Sequence, residues 1–421
     1  MPRAVIVDGI RTPFVRAFAE YTDLDTIALG TAAVRALLER SRLPWDQLDS
    51  LIWGGVILPP ASANVGREIV LDIGLPPSVE AMTVTRACAS GLQAITDAAA
   101  KIERGEADVV IAGGSDSTSN AALTMPPELI RKVGPVAMSR KSGVRDYLGL
   151  LGTVSWRDVV PKQPQIAERS TGQLMGEAAE DMARRNSISR ESQDALAALS
   201  HHRAHAAVAS GRFDDELTEV AGVTRDTIVR GDSSAEKLAK LKPVFAKDGT
   251  LTAGNSSTLT DGAGAVLLMS EEAAARLGYT PRAAIKSWAY VGVDPADQLL
   301  MGPAIAMPKA LARAGMSLDD IDVFDMHEAF AGQVLSVLKM LESDAFAQER
   351  LGLQQAWGHI DRDKLNVHGG SLALGHPFAA TGARMVTTMA NELARTGKKT
   401  ALLGICAAGG LGAAAVLEAI D

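Results

Sequence analysis

Residues 81–112 read AMTVTRACASGLQAITDAAAKIERGEADVVIA, and this stretch decides the fold class. Positions 81–86 are strand-like, Cys88-Ala89-Ser90-Gly91 is a turn of small residues, a helical pattern runs to about Arg104, and 108–112 is a second apolar strand. Strand, turn, helix and strand in so short a span is the βαβ grammar of an α/β protein. The grammar extends upstream, where 4–8 and 51–57 read as strands and 25–38 as a helix with an Ala-rich face.

The pattern breaks near Ala121. From there to Leu251 the chain is polar, Pro-punctuated and helix-rich, and Lys or Arg at 131, 132, 140, 141, 145, 157 and 162 outnumber Asp146 and Asp158. This basic stretch reads either as a solvated face or as a contact for phosphates or anionic headgroups. Alternation returns at Thr252, with strands expected at 265–269, 283–291, 323–326 and 400–405 and helices at 303–314, 329–341 and 381–396. Asp108-Val-Val-Ile-Ala-Gly-Gly and Thr400-Ala-Leu-Leu-Gly-Ile-Cys share one pattern, a strand running into a turn of small residues. The expected organisation is two similar α/β halves, 1–120 and 281–421, flanking an inserted loop domain at 121–251, with about 252–280 returning to the first half.

Composition bounds the function. With 421 residues, 47% hydrophobic and 22% charged, the chain is long and apolar enough for a large buried interior. A net charge of -8 argues against nucleic acid as a partner, since polyanion binders concentrate Lys and Arg. The N-terminus, MPRAVIVDGIRTPF, enters a strand without the pattern of a secretory signal, and no apolar stretch is long and clean enough to span a bilayer. A cytoplasmic location is the expectation.

Cys88 and Cys406 are the two cysteines, too far apart in sequence for a CxxC pattern. A disulfide between them is improbable in a reducing compartment, which leaves inert buried thiols or reactive ones. Cys88 opens a helix, where the dipole is expected to depress its pKa, and Gly91 lets a substrate or another backbone approach the sulfur. A nucleophilic thiol needs a base. Of seven histidines, 201, 202 and 205 share one helix and read as a solvated face, whereas His376 sits in the Gly-rich run GGSLALGHPFAATG, residues 369–382. His327 emerges at the carboxyl end of a strand, where α/β folds place ligands. The HExxH zinc motif fails there because position 331 is Ala. Cys406 follows a strand within Cys-Ala-Ala-Gly-Gly-Leu-Gly, whose exposed N–H groups suit an oxyanion hole.

Taken together, Cys88-Ala-Ser-Gly-Leu-Gln, Thr252-Ala-Gly-Asn-Ser-Ser, His327-Glu-Ala-Phe-Ala, Gly375-His-Pro and Cys406-Ala-Ala-Gly-Gly-Leu-Gly strongly resemble the thiolase family, in its order and over the whole chain. The resemblance implies the thiolase fold, two related α/β halves stacked in five layers (αβαβα) with a loop domain, assembled as a dimer or a dimer of dimers. Trp156-Arg-Asp-Val-Val-Pro, Ser170-Thr-Gly-Gln-Leu-Met-Gly and Gly375-His-Pro-Phe-Ala-Ala-Thr-Gly look most like the fatty-acid oxidation type, the β subunit of the trifunctional complex and its bacterial counterparts. His327, where biosynthetic acetoacetyl-CoA thiolases usually carry Asn, favours the same subtype.

The resemblance further implies that Cys88 attacks the 3-keto carbon, His376 takes the thiol proton, His327 orients a water or oxyanion partner, and Cys406 moves the α-carbon proton. Backbone N–H groups of Cys88 and Ala408 would form an oxyanion site, with Ala408 where many relatives have Gly. Ser257 would contact the pantetheine arm and Met175 would line the pocket over the thioester. CoA and acyl-CoA are then the substrates, with no metal or other cofactor expected, and the basic segment would face CoA phosphates or a partner subunit. A hydratase/dehydrogenase subunit and peripheral membrane contact are partner expectations of the same kind. The rival readings are an acetoacetyl-CoA thiolase, a non-catalytic acyl-CoA-binding or assembly subunit, and a condensing enzyme, which typically has His at the Cys406 position.

Overall fold

The computed structural model describes residues 2–123, 125–150, 152–155 and 167–420. The motif at 156–161 and the charges at 157, 158 and 162 lie outside the described residues.

The first half of the main unit contributes β1 (Ala4–Arg11), β2 (Val15–Arg16), β3 (Ser50–Gly54), β4 (Glu80–Val84), β5 (Val109–Asp116) and β6 (Thr260–Ser270). The second contributes β7 (Ala283–Gly292), β8 (Val323–Met326), β9 (Thr400–Ala407) and β10 (Leu411–Ala419). Their hydrogen-bonded order is β4-β3-β5-β6-β1-β7-β10-β9-β8, with β2 beside β6, so the halves join along β1 and β7. Each half repeats one scheme. In the first, β4, β3 and β5 pair in parallel, and β6 runs antiparallel to both β5 and β1. In the second, a parallel bridge at Leu365 stands for β4, β8 and β9 pair in parallel, and β10 runs antiparallel to both β9 and β7. The two segments that share a sequence pattern, at 108–114 and 400–406, thus overlap corresponding strands.

The helix Ser90–Glu103 leads into β5, and its counterpart Ala379–Thr396 leads into β9. The two pack against each other, and one apolar cluster joins Leu92 and Ile95 of the first, Met385 and Met389 of the second, and inward residues of both half-sheets, such as Val110, Val266, Leu403 and Ala415. The helices Thr26–Ser41 and Val65–Ile73 cover the outer face of the first half-sheet through Leu29, Leu37, Ile69 and Val70. Pro303–Ala314 and Ala331–Leu341 cover the second through Met307, Leu311, Val334 and Leu338. Helices, sheet, helices, sheet and helices make five layers.

The central helices nearly touch backbone to backbone. A Cβ added at Gly91 would land on the carbonyl oxygen of Ala379, and one added at Gly382 on the amide nitrogen of Leu92. At Gly91 it is the Ala379 backbone that comes close, and it comes close to the helix itself. Gly113 and Gly114 continue β5 and are not a turn; a Cβ at Gly113 would strike Gly264 O of the paired strand.

The segment 167–251 belongs to the main unit, and only 121–166 forms a unit of its own, which shortens the expected inserted domain. The helices Met175–Arg185 and Arg190–Ala209 share the apolar cluster of the second half through Ala179, Met182, Leu196 and Ala197, burial that the polar composition concealed. The small unit holds the helices Pro127–Ala137 and Val144–Leu150 and exposes Ile130, Met138, Val144, Tyr147 and Leu148. Among the described residues, no helix is long and apolar enough to cross a membrane.

Candidate active site

Cys88 lies in the tight turn between β4 and the Ser90–Glu103 helix. Ala87 adopts φ 46°, a left-handed conformation that costs a residue with a side chain roughly 1–3 kcal/mol. Ser90 clamps this turn: its Oγ accepts from the Arg86 N–H at 2.7 Å and donates to Ala87 O at 2.6 Å. Cys88 is half-buried and Cys406 fully buried, and both are free thiols.

His376 enters from the matching turn of the second half. Gly375 at φ 94° and Phe378 at φ 35° bracket it, its N–H donates to Thr258 O at 3.3 Å, and its Nδ1 meets Thr381 Oγ1 at 2.6 Å. His327 follows β8, its N–H donating to Gly404 O at 2.8 Å and its Nδ1 lying 2.8 Å from Ser371 Oγ. The two imidazole rings stand 4.1 Å apart between centroids at 44°. A ligand atom of Cys88 and one of each histidine lie within 4.8 Å of one another. Both Nε2 atoms are buried and without a hydrogen-bond partner.

Burial keeps this group neutral. It pushes the Cys88 thiol up to about 12, although the backbone N–H groups of Ala408 and of Cys88 itself hydrogen bond the sulfur. The expected depression by the helix dipole is thus outweighed by desolvation. Burial, aided by the Arg384 charge, lowers His376 to about 3, and burial, His376 and Arg384 hold His327 well below the usual imidazole value. Cys406 is raised well above an ordinary thiol by burial and by the nearby Cys88. Burial thus favours thiol and neutral imidazole over an ion pair at rest.

Cys406 is not beyond the strand, as expected, but within it, opposite Gly412 in the β9–β10 hairpin. Ala408, Gly409 and Gly410 form the turn, with both glycines at positive φ, and Glu168 accepts from the Gly409 N–H at 2.9 Å. The motif beginning at Thr252 braces the site: Ser257 N donates to Ala329 O, and Ala331 N donates to Asn255 O, each at 2.9 Å. Ser257 is half-buried there. Met175 packs against the apolar cluster that contains Cys406.

Several supporting groups escaped the sequence reading. Glu328, beside His327, is buried and accepts from Ser200 Oγ at 2.7 Å, Asn366 Nδ2 at 2.6 Å and Leu372 N at 3.2 Å, tying the His327 loop to the loop before His376. Asp116, at the end of β5, accepts from the amides of Val56, Ile57 and Ala379, so a carboxylate of one half holds the first turn of the other half's central helix. Burial raises it to about 7. Buried Arg384 donates to Asp325 at 2.5 Å. Ser371 and Thr381 fall inside the quoted Gly-rich run, but sequence does not tell which hydroxyl meets which imidazole. Of the three histidines expected on a solvated face, His201 is buried, lowered by burial to about 4, and accepts from the Arg230 N–H at 3.2 Å.

Comparison with known proteins agrees with this architecture. Residues 4–272 match the family model for the thiolase N-terminal domain and residues 279–419 that for the thiolase C-terminal domain. The chain is 45% identical over 423 residues to a 3-ketoacyl-CoA thiolase of Shewanella woodyi and 45% identical over 424 residues to one of Cronobacter sakazakii. Each alignment covers 99% of this chain and 97% of the relative. Among solved structures, the Bacillus anthracis acetyl-CoA acetyltransferase superposes with a TM-score of 0.83 at 33% identity, covering 100% of this chain and 99% of that one. Human mitochondrial 3-ketoacyl-CoA thiolase in complex with CoA superposes with a TM-score of 0.84 at 31% identity, covering 100% and 98%. With both domain models matched, near-complete relatives at this identity and a five-layered fold built from two like halves, the chain belongs to the thiolase family.

Proposed function

We propose that this thiolase is a 3-ketoacyl-CoA thiolase (acetyl-CoA C-acyltransferase) of fatty-acid β-oxidation, which cleaves 3-ketoacyl-CoA with CoA to acetyl-CoA and a shortened acyl-CoA. The observation that carries the reading is the cluster of Cys88, His327 and His376, each imidazole anchored at Nδ1 and free at Nε2.

In the proposed reaction His376 takes the Cys88 proton as the sulfur attacks the 3-keto carbon. Base action requires Nε2 to carry the lone pair, so Nδ1–H donates to Thr381. The oxyanion at that carbon is received by the N–H groups of Cys88 and Ala408, the same groups that hydrogen bond the resting sulfur. The bond to the α-carbon then breaks, its electron pair passes to the acetyl-CoA enolate, and the Cys406 thiol protonates the enolate carbon. His327 and the now protonated His376 steady the enolate oxygen, directly or through a water. Cys406 thiolate next deprotonates the incoming CoA, whose sulfur attacks the acyl-Cys88 thioester, and Cys88 leaves and recovers its proton from His376. The neutral resting pair suits this cycle, because a thiolate forms only while an electrophile is present to consume it.

Ser257 and Met175 retain their roles at the pantetheine arm and over the thioester as proposals. So do a dimeric or tetrameric assembly, a hydratase/dehydrogenase partner subunit, a cytoplasmic location and chemistry without metal or organic cofactor. The exposed Arg131, Lys132, Arg140, Lys141 and Arg145, beside exposed Ile130, Met138, Val144 and Leu148, suit contact with an anionic surface.

The test is CoA-dependent cleavage of 3-ketohexadecanoyl-CoA and of acetoacetyl-CoA by the purified protein, with Cys88→Ala as control. Turnover of the long substrate that the substitution abolishes supports the proposal; absence of turnover on both substrates overturns it. Likeness to the Bacillus anthracis acetyl-CoA acetyltransferase favours one second reading, an acetoacetyl-CoA thiolase, and cleavage of the four-carbon substrate alone would establish it.

A further inference from the structure

We propose that Cys88, His327 and His376 also form a binding site for a zinc-class divalent cation, and that such a cation blocks the enzyme reversibly. The ligand set is one thiol and two imidazoles, the donors that borderline metals of the Zn²⁺ type select. All three ligand atoms already lie within 4.8 Å of one another. A tetrahedral ion with Zn–S near 2.3 Å and Zn–N near 2.0–2.1 Å needs ligand separations of roughly 3.4–3.6 Å, so closure requires about 1 Å of side-chain movement.

A second observation points to a ligand. The Nε2 atoms of His327 and His376 are both buried and unpartnered, while each Nδ1 is held by a hydroxyl, Ser371 Oγ at 2.8 Å and Thr381 Oγ1 at 2.6 Å. Donating one ring N–H to an anchor and presenting the other nitrogen's lone pair is how protein imidazoles are arranged around metals. Buried Arg384, whose charge acts on both imidazoles, is paired with Asp325, and Asp116 lies near enough to Cys88 to act on its thiol. Binding replaces the thiol proton: M²⁺ and Cys88–SH give the metal thiolate and H⁺, which passes to solvent. No electron transfer is involved. The fourth position remains for water or a substrate carbonyl, and a sulfur held by metal cannot attack an acyl group. The binding rests on the geometry; the inhibition rests on Cys88 as nucleophile.

The test is titration of the full chain with Co²⁺ in buffer free of thiols and chelators, followed by absorption spectroscopy. The expected result is one equivalent bound, with a sulfur-to-cobalt charge-transfer band and four-coordinate d–d bands that Zn²⁺ displaces. Cys88→Ala and Cys88→Ser, each checked for an unchanged thermal melt, should abolish the charge-transfer band, and Cys406→Ala should retain it. Ser371→Ala should weaken Zn²⁺ binding about 10-fold by freeing the His327 ring, and Ser371→Thr should restore it. A missing charge-transfer band, or one that survives in both Cys88 variants, overturns the site. Thiolysis measured on a metal-free aliquot of the same preparation, before any Co²⁺ is added, separates the two ideas, since an active enzyme that gives no cobalt band sinks the metal site alone. An inactive one with the band sinks the thiolase reading alone.

Discussion

The two halves of the sheet pair their strands in the same way and feed them from equivalent central helices, yet the turns entering those helices differ in content. In the first half the turn carries Cys88 behind a strained Ala87; in the second it carries His376 between Gly375 and Phe378. The strands after the helices diverge as well. β5 ends in Asp116, which holds backbone amides, whereas β9 carries Cys406. The repeat therefore supplies two similar ledges that face each other, and the proposed chemistry resides in the residues by which they differ.

The sharpest way to break that comparison is to exchange the cysteines one at a time. Cys88→Ala should lower turnover on the order of 10⁴-fold or more, since a lost nucleophile removes the covalent route. Cys406→Ala should cost about 10²–10⁴-fold, the range of a lost proton donor, while leaving Cys88 open to alkylation by iodoacetamide. Equal labelling of wild type and Cys88→Ala at one site would show that the two roles are misassigned.

The seam between the central helices comes next. Gly91→Ala and Gly382→Ala each set a methyl against backbone that has nowhere to go, and each should cost about 3 kcal/mol in urea unfolding. A large loss at one and none at the other would mean that the seam is not shared equally. Asp116→Asn should cost about 1–2 kcal/mol, because an amide oxygen cannot serve all three N–H groups that the carboxylate now accepts.

The smallest effect is on the pH dependence of stability. His201, His327 and His376 all have folded pKa values below the ordinary 6.5, so the unfolded chain binds more protons and stability falls as pH drops below that value. Between pH 7 and pH 6 each should lower the unfolding free energy by about 0.7 kcal/mol. His201→Gln, away from the proposed chemistry, should remove one such share, and an unchanged pH slope would show that His201 is not held neutral. By the same shifts, kcat/KM should show no acidic limb near 6.5 from His376.

Sequence alone carried much of this. The strand 323–326 and the helix 303–314 are realised with the expected bounds, since apolar run and helical period are local properties. β10 was missed because Leu-Gly-Ala-Ala-Ala-Val-Leu-Glu-Ala lacks the β-branched content that marks a strand, and pairing on both sides makes it one. Cys88 sits at a helix start, yet burial raises its thiol, because desolvation depends on how much protein surrounds the sulfur, which no local pattern reveals.

What the sequence by itself determined is therefore the alternation of elements, the repeat, the family motifs and the residue types able to do acyl-transfer chemistry. Only the tertiary structure decided that the thiol of one half and the imidazoles of the other form one cluster, that Ser371 and Thr381 hold those imidazoles, and that an aspartate of one half holds the helix of the other. The physical reason is range. Periodicity and turn chemistry act over a few residues, whereas burial, hydrogen-bond partners and the pKa values they set depend on contacts hundreds of positions apart.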